Sequence, residues 1–281
     1  MAKVSVVGIC GNSIFMRVDR FHEKGETIAA NSVFEEIGGK GFNQAVACAK
    51  MGAEVSYLGA IGDDADGEKC KQAAIAYGVN GFFAVKKGTK TTFAIILTDA
   101  NGENQITGFR SAELSAEDVI SFEEEIASSD ILLLQQEVPQ EVNETAVKLA
   151  NKHNVKVVLN PAPIRHISED IAKSVFVVTP NEHEQKAIDA DLFKNCVATL
   201  GSKGCVINGQ TYIDAIDVKA VDTTGAGDTF NGVLAVCLAE GKTIESSCKY
   251  AVLASGLSVT KSGVLNSIPT RDEIERKTIN E

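Results

Sequence analysis

The sequence predicts an α/β fold: a mostly parallel sheet with helices on both faces, and a small β-sheet lid outside it. Of the 281 residues, 44% are apolar, which is enough to fill the core of one large domain. Short β-rich runs alternate with helix-compatible runs through most of the chain, and this rhythm is typical of a parallel sheet. Two further strand-like stretches break the rhythm, and they indicate the lid.

Five β-rich runs form the alternating part, and a helix-compatible segment follows each of them. These predicted strands are Val4–Gly8, Val55–Ala60, Ile131–Gln135, Val155–Leu159 and Val175–Thr179. Consecutive parallel strands need a crossover connection, which is usually a helix. The alternation therefore predicts that these strands lie side by side in one sheet.

The lid is predicted from two insertions at separate points of the chain. The first is Thr27–Glu36, and the second, Phe82–Phe109, passes through an Asp-Ala-Asn-Gly turn signal that is typical of a hairpin. Two such insertions can pair with each other outside the main sheet. We therefore expect a single domain over residues 1–281, with lid segments at about 11–37 and 82–111.

The second half begins with a short connection. Between Thr179 and the strand-like run Asn195–Leu200 lie 15 residues, and a crossover needs about a dozen or more. One short helix, Glu182–Asp189, fits this length. The elements expected after Leu200 are short strands at Gly204–Asn208 and Thr211–Ile213, and helices at Ala226–Glu240, at Ile244–Thr260 and from about Arg271.

Charge and composition exclude several classes of protein. The chain has 38 acidic and 27 basic residues, a net charge of −11, and shows no basic cluster that would bind nucleic acid or an anionic membrane. Its apolar runs have strand length, whereas a bilayer span needs about 20 residues. The seven cysteines form no C-x-x-C pair, and no signal-peptide pattern is apparent, so we expect reduced thiols in a cytoplasmic protein.

A turn of small residues at Asp222–Gly232 leads into a predicted helix. Backbone N–H groups of Gly225, Ala226 and Gly227 can approach an anion there, and the helix adds the positive end of its dipole. Asp228 in the first turn has two interpretations: a residue that stabilises the helix start, or a general base beside a phosphate. The stretch lacks the Lys-Ser/Thr ending of a P-loop.

Three further segments carry polar residues at predicted helix starts or strand ends. In Gly38–Ala45, Lys40 and Asn43 can bind the hydroxyls of a polyol, or the glycines simply form a loop. Asn181 and Glu184 suit a hydrated magnesium ion, or Asn181 only caps a helix. Thr199–Gly204 suits nucleotide phosphates or an ordinary hairpin. Glu137 follows a strand at the sheet edge where ligands bind, or it is simply a surface glutamate.

Taken together and in this order, the segments resemble the ribokinase-like (PfkB) family of carbohydrate kinases over nearly the whole chain. The segments that carry the resemblance are Gly25–Thr27, Gly38–Ala45, Gly62–Asp64 with Gly67, Leu159–Pro163, Asn181 with Glu184, Thr199–Gly204 and Asp222–Gly232. It implies a Rossmann-like αβα domain with a β lid, and transfer of the γ-phosphoryl group of ATP to a hydroxymethyl group. Asp228 is then the base, and Gly225–Gly227 form an anion hole.

The resemblance also implies a ligand for each segment. Sugar hydroxyls are expected at Gly38, Gly39, Lys40, Gly41, Asn43 and Glu137. ATP is expected at Asn181, Thr199, Gly201, Lys203, Gly204 and Gly227, with Mg²⁺ organised through water by Asn181 and Glu184. A monovalent cation, K⁺ by preference, is expected at Asp222, Thr224, Ser258, Lys261, Gly263 and Ser267. The family also favours a homodimer in which two lids cover each other's edges.

The sequence departs from the family at the expected sugar-binding acid. Ribokinases usually carry Asn-x-Asp after the first strand, whereas an ungapped alignment puts Gly11 and Ser13 at those places. Ser13, a neutral and weaker partner for a diol, and Asn12 are expected at the sugar, and Asn12 or Arg17 is the candidate for a replacement contact. Without the acid, the substrate is a pentose such as ribose, a deoxysugar, a fructose-type sugar or a nucleoside.

Two other functional classes are distinguishable from a sugar kinase. A nicotinamide-dependent oxidoreductase should show G-x-G-x-x-G after its first strand, and the run Gly8–Ser13 lacks the second and third glycines. A non-catalytic sugar sensor on the same scaffold is expected to lose Asp228 or the anion-hole glycines. Both features are present, which favours an enzyme.

Overall fold

The computed structural model describes residues 1–279, and it confirms the α/β class. The strands are β1 (Lys3–Val7), β2 (Gly11–Arg17), β3 (Ser32–Gly38), β4 (Glu54–Gly62), β5 (Asn80–Lys86), β6 (Phe93–Thr98), β7 (Asn104–Phe109), β8 (Ile131–Gln135), β9 (Lys156–Asn160), β10 (Val177–Val178), β11 (Val197–Thr199), β12 (Cys205–Ile207) and β13 (Thr211–Ile213). The helices are α1 (Lys40–Lys50), α2 (Ala65–Ala76), α3 (Ala116–Ser121), α4 (Glu123–Ala127), α5 (Gln140–Lys152), α6 (Glu169–Ser174), α7 (Ala226–Ala239), α8 (Ile244–Ser258) and α9 (Arg271–Ile279). Across this described range, no helix combines the length and apolarity that a bilayer crossing requires.

The main sheet is parallel throughout, with the strand order β10-β9-β8-β1-β4-β5. Successive side chains of a strand point to opposite faces. On β8, Leu133 therefore packs into the core that contains residues of α1, α7 and α8, and Leu134 packs into the core that contains residues of α5. Both faces are buried, which accounts for strands that read as continuous apolar runs rather than alternating ones.

The lid is a separate four-stranded sheet with the order β3-β2-β6-β7. Strands β2 and β6 are parallel, and the two outer pairs are antiparallel. The second lid segment was expected to begin at residue 82, but β5 pairs with β4 in the main sheet. The lid insertion therefore starts only after Lys86, because the apolar residues of β5 are needed to cover the edge of the parallel sheet.

The predicted helix at Glu182–Asp189 is wrong. Two short 3₁₀ turns, Glu184–Lys186 and Ala190–Leu192, occupy the connection instead. Asn181 Oδ1 accepts the N–H of Glu184 at 2.8 Å, and Asp189 Oδ1 accepts the N–H of Asp191 at 3.2 Å. These local bonds stabilise two separate turns where a helix would need a continuous ladder.

The run after this connection does not extend the main sheet as a full strand. Strands β11, β12 and β13 form their own antiparallel sheet, which meets β10 only through the isolated parallel bridges Val178–Cys196 and Asn181–Thr199. The segment Thr199–Gly204 is thereby the turn of the β11–β12 hairpin. It lies beside the carboxyl edge of the main sheet, next to Asn181.

Candidate active site

Asp228 lies in the first turn of α7 at the carboxyl edge of the main sheet. Its side chain is only 6% exposed, and both carboxylate oxygens are bonded to amides of α1. Asn43 Nδ2 donates to Oδ2 at 2.8 Å, and Gln44 Nε2 donates to Oδ1 at 3.0 Å. Hydrogen bonds to both oxygens satisfy the buried carboxylate and fix its orientation.

A chain of buried amides extends from Asp228 to the main sheet. Gln135 Nε2 on β8 donates to Gln44 Oε1 at 2.6 Å, and Gln44 Nε2 also reaches Asn160 Oδ1 on β9 at 3.3 Å. Asn160 in turn donates to the carbonyl of Thr179 at 3.3 Å. Each amide orients the next one, so the sheet itself fixes the direction in which Asp228 points.

The turn before α7 presents backbone N–H groups beside Asp228. Gly225, the residue before the helix, has φ +76° in the left-handed region, and a Cβ there would come 2.5 Å from Val264 Cγ1. A Cβ on Gly227 would meet no atom of residues 1–279 within 4 Å. Glycine is therefore required by the protein at 225, whereas at 227 it leaves open space for a ligand.

The first N–H groups of a helix lack acceptors within the helix. In this turn the N–H of Ala226 is committed to Thr223 O at 3.3 Å. Gly225 and Gly227 line the cavity that also contains Asp228. Of the three N–H groups predicted to form an anion hole, that of Ala226 therefore already has a partner within the turn.

Lys40 supplies positive charge at the same place. Its pKa is raised, chiefly by Asp228 and further by Glu137 and Glu184, so the ammonium remains protonated. Burial raises the pKa of the Glu137 carboxyl, and the charge of Lys40 opposes that effect. Glu137 Oε2 also accepts the backbone N–H of Lys40 at 2.8 Å. The Lys40 ammonium thus interacts electrostatically with three carboxylates, those of Asp228, Glu137 and Glu184.

Two cavities meet at this edge of the sheet. The smaller, about 260 Å³, is lined by polar residues that include Lys40, Asn181, Glu184 and Asp228. The larger, about 420 Å³, has apolar walls that include Ile216, Val218, Phe230, Val252 and Val259. Residues common to both cavities are Thr199, Thr223 and Gly227. The site therefore joins a polar compartment to an apolar one across the turn that precedes α7.

The residues expected around ATP lie at this junction. Thr199, Gly201 and Gly204 line the larger cavity, while the Lys203 side chain is exposed at its rim. Gly204 has φ +93°, and a Cβ there would come 2.0 Å from Ile213 O, so the tight hairpin itself requires this glycine. Asn181 lies on the other side, where β11 approaches β10.

Asn181 and Glu184 bond to each other's backbone at the mouth of the polar cavity. Glu184 Oε2 accepts the N–H of Asn181 at 2.9 Å, and Glu184 is 7% exposed. Within residues 1–279, no group of three or more His, Cys, Asp or Glu side chains is arranged to hold a metal ion. A single carboxylate beside phosphate groups suits Mg²⁺, which retains most of its water. The residues present fit that ion.

The residues expected around a monovalent cation converge near the same turn. Asp222 Oδ1 accepts the N–H of Thr224 at 3.0 Å, and its Oδ2 accepts the N–H of Gly263 at 3.2 Å. Ser258 O accepts the N–H of Lys261 at 3.2 Å. The Lys261 side chain extends to Glu273, with its Nζ 2.9 Å from Glu273 Oε1. Ser267 is buried in the same loop.

The sugar-side residues divide between ligand-facing and packing positions. A Cβ on Gly38 would lie 3.3 Å from Ser13 Oγ and 3.6 Å from Asn43 Oδ1, so these three residues share one space. Asn43 Oδ1 has no hydrogen-bond partner in the described part of the chain. A Cβ on Gly39 would collide with Ile9 O at 2.6 Å, and one on Gly41 with Gly8 at 2.6 Å. Those two glycines therefore allow α1 to pack closely against the end of β1.

Asn12 points to the other face of β2. Its Nδ2 donates to Glu35 Oε2 at 3.0 Å and to Asp66 Oδ1 at 3.1 Å, and both carboxylates pair with Lys69. Ser13, one residue on, faces Gly38. The structure therefore separates Asn12 from Ser13, leaves Ser13 on the side of Asp228, and places Arg17 at the exposed end of β2.

Sequence reasoning missed the amide residues that hold Asp228. The residues predicted from the sequence to form the site do not include Gln44, Gln135 or Asn160. Gln44 could have been predicted from the sequence, because two adjacent amides, Asn43 and Gln44, interrupt an otherwise apolar helix face. Gln135 could not, since a glutamine at the end of a buried strand is ordinary.

Comparison with known proteins places this geometry among sugar kinases. Residues 1–271 match the pfkB family of carbohydrate kinases. A ribokinase from Bacillus subtilis is 34% identical over 291 aligned residues, covering 98% of this chain and 99% of the relative. The crystal structure of a ribokinase from Thermotoga maritima has a TM-score of 0.91 at 34% identity, with full coverage of both chains. An Arabidopsis thaliana ribokinase complexed with ribose and ATP has a TM-score of 0.85 at 29% identity, with 98% of each chain covered.

Proposed function

This chain belongs to the pfkB family of carbohydrate kinases, and we propose that it transfers the γ-phosphoryl group of ATP to a hydroxymethyl group of a pentose or related sugar. The observation that carries the proposal is the position of Asp228. It is a buried, oriented carboxylate at the helix start where a polar and an apolar cavity meet. A base at that junction can contact a sugar hydroxyl on one side and a phosphate on the other.

Asp228 removes the proton of the attacking hydroxyl in this mechanism. Asn43 and Gln44 donate to its two oxygens and leave lone pairs free to accept that proton. The alkoxide that develops attacks the γ-phosphorus, the bond to the leaving ADP oxygen breaks, and the proton stays on the carboxylate. The amide chain behind Asp228 keeps this geometry fixed during the step.

Hydrogen-bond donors of the chain itself stabilise the negative charge on the transferring phosphoryl group. Gly225 and Gly227 line the polar cavity at the positive end of α7, where their N–H groups would bind the phosphoryl oxygens, and Lys40 adds a full charge there. Most catalysis of phosphoryl transfer comes from such positioning and charge neutralisation.

Two ions complete the proposed site. Mg²⁺ would be organised through water by Asn181 and Glu184, and it neutralises the phosphates when bound. A monovalent cation, K⁺ by preference, would lie in the loop held by Asp222, where carbonyl groups near Thr224 and Gly263 supply oxygens. Asp222 orients that loop by bonding to its backbone N–H groups.

The sugar is a pentose in this proposal, and Ser13 decides its identity. Ser13, Gly38 and the free Oδ1 of Asn43 offer neutral hydrogen-bond partners in place of a carboxylate. A nucleoside or fructose-type substrate of the same family is the alternative. A non-catalytic sugar sensor is disfavoured because Asp228 and both glycines of the turn are present.

The proposed setting is a cytoplasmic homodimer. All seven cysteines are buried and free, which suits a reducing compartment. Two exposed apolar residues on the same face of the lid, Phe34 and Ile106, suit contact with a second lid.

A screen for ADP release tests the function. The purified chain is incubated with Mg-ATP, KCl and, in turn, ribose, 2-deoxyribose, other pentoses, fructose and nucleosides, with the Asp228→Asn variant as the background. Release above that background with one sugar supports the kinase. Thermal stabilisation by a sugar with no ADP release identifies a sensor instead.

A further inference from the structure

One lid side chain fastens β3 to the loop at residues 261–267. Glu36 Oε2 accepts the N–H of Val264 at 3.0 Å, and Glu36 Oε1 accepts the N–H of Leu265 at 2.8 Å. Two consecutive backbone N–H groups thus bind one carboxylate. Charge-assisted bonds of this kind are about twice as strong as neutral ones.

The 261–267 loop rests against the turn that faces the phosphates. Val264 is buried, and its Cγ1 occupies the place into which a Cβ on Gly225 would project. Gly263, beside it, donates to Asp222 Oδ2. A displacement of Val264 therefore shifts Gly225 through direct contact, because close-packed groups transmit shifts.

Strand β3, which carries Glu36, also carries Gly38 on the sugar side of the site, and Ser13 lies beside it on β2. Glu36 lies directly opposite Ser13 in the β2–β3 register, and Gly38 follows it by two positions on the same face. A movement of β3 toward a bound sugar moves Glu36 together with Gly38. The other side of the loop is tied to α1, where Lys50 Nζ donates to Leu265 O at 2.7 Å and to Ile268 O at 2.9 Å.

We propose that Glu36 is a positioning residue that couples the lid strand β3 to the turn at Gly225. It acts through Val264 and belongs to neither ligand cavity. That the ligands are a sugar beside β3 and a phosphate at Gly225 rests on the proposed function. The coupling between β3 and the turn at Gly225 does not. Lys50 anchors one side of the 261–267 loop to the core. Glu36 bonds the other side to β3, so that side moves when the lid moves.

Backbone amide exchange in the protein without ligands tests the coupling directly. Glu36→Gln keeps the shape of the side chain but removes its charge and one acceptor oxygen. We expect exchange at Val264 and Leu265 to accelerate by about tenfold. We also expect a smaller acceleration at Gly263 and Ala226, whose N–H groups Glu36 does not touch.

Glu103→Gln is the matched control, because it removes one charge from an exposed position next to β7. It should leave exchange at these four amides unchanged. Unchanged exchange at Val264 and Leu265 in Glu36→Gln would overturn the proposal. A response confined to those two amides would also overturn it, since the contact would then be local.

Kinetics give a second measurement, with the sugar of lowest KM from the ADP-release screen. Glu36→Gln should lower kcat by about threefold to thirtyfold and raise the KM for the sugar, while the melting temperature changes little. A loss of melting temperature with unaltered kcat and KM would show a structural role only. If no sugar is phosphorylated, the proposed function is refuted, and the exchange comparison still decides the coupling.

Discussion

At the scale of single residues, the site depends on which groups contact the Asp228 carboxylate. Asp228 has two amide donors, and neither of them is a competing cation. Lys40 affects the site at longer range by its charge. These neutral donors orient the Asp228 carboxylate, and each of its oxygens keeps a lone pair for a further hydrogen bond.

Replacing Asp228 by Asn removes the base and retains the shape of the side chain. We expect turnover to fall by about 10² to 10⁴, the usual contribution of general-base catalysis, with little change in the affinity for ATP. The measurement is kcat in the coupled assay together with nucleotide binding by calorimetry. Near-full turnover in the variant would remove Asp228 from the mechanism.

Ser13→Asp restores a carboxylate on the face of β2 that looks toward Gly38. A charged hydrogen-bond acceptor contributes about 1.5–3 kcal/mol, against about 0.5–1.5 for a neutral one. We expect the KM for ribose to fall several-fold where binding precedes slow chemistry. Steady-state kinetics with ribose and with 2-deoxyribose measure the change.

Ser13→Asn is the control, because it has nearly the size of Asp without the charge. A companion asparagine at position 11 is not accessible, since a Cβ on Gly11 would come 2.2 Å from Thr92 O. An unchanged or higher KM for ribose in Ser13→Asp, with another sugar or a nucleoside used well by the unaltered protein, would contradict ribose as the substrate.

At the scale of elements, two glycines in one turn have different tasks. Gly225 ends the loop in a left-handed conformation against Val264, and Gly227 lies within the first turn of α7 beside open space. The first is a requirement of the fold, and the second a requirement of the ligand. Sequence alone shows only a glycine-rich helix start, because the difference depends on Val264, which lies about forty residues later.

Ala substitutions at these two glycines should separate stability from activity. Gly227→Ala should raise stability by about 0.5–1 kcal/mol, as Ala does in a helix, while its methyl group fills the phosphate space and lowers kcat. Gly225→Ala should lower stability by about 1–3 kcal/mol, because a non-glycine residue is strained there. Denaturant unfolding and kcat measured on both variants check this. Equal losses of stability would contradict the assignment.

The loop held by Asp222 should make the enzyme dependent on a monovalent cation. We expect activity to rise by about fivefold or more when K⁺ replaces a bulky organic cation at constant ionic strength. Asp222→Asn should reduce this activation, because the loop loses its charged anchor. Asp170→Asn is the matched control, since it removes the same charge from an exposed position on α6. Equal rates in both salts would count against the site.

At the scale of the whole molecule, the sequence predicts the α/β core well and the long-range site poorly. Alternating strands and helices determine a parallel sheet because each element has a local signature, as the match of α7 and α8 to the predicted helices shows. The helix predicted after Thr179 does not form, because side-chain caps compete there with the backbone hydrogen bonds of a helix. Contacts such as Gln44 to Asp228 join residues 184 positions apart, and no local pattern encodes them.

The lid has an apolar row that its own chain leaves partly uncovered. In register, Phe34, Phe15, Ile96 and Ile106 lie side by side across all four strands, on the same face as Ser13. The Phe15 and Phe34 rings are stacked with centroids 4.6 Å apart, and Ile106 is 67% exposed at the end of the row. A second lid placed over this row would bury it and protect the edge strands.

Ile106→Lys should therefore convert a dimer into a monomer. Burying an isoleucine side chain contributes about 1.5–3 kcal/mol, and a two-fold interface would lose this contribution twice while gaining two like charges. Ile120→Lys on α3 is the matched control, because it makes the same change at an exposed isoleucine away from the lid. Sedimentation equilibrium over a range of concentrations measures the association. The lid interface is wrong if the unaltered protein is monomeric, or if Ile106→Lys and Ile120→Lys associate equally.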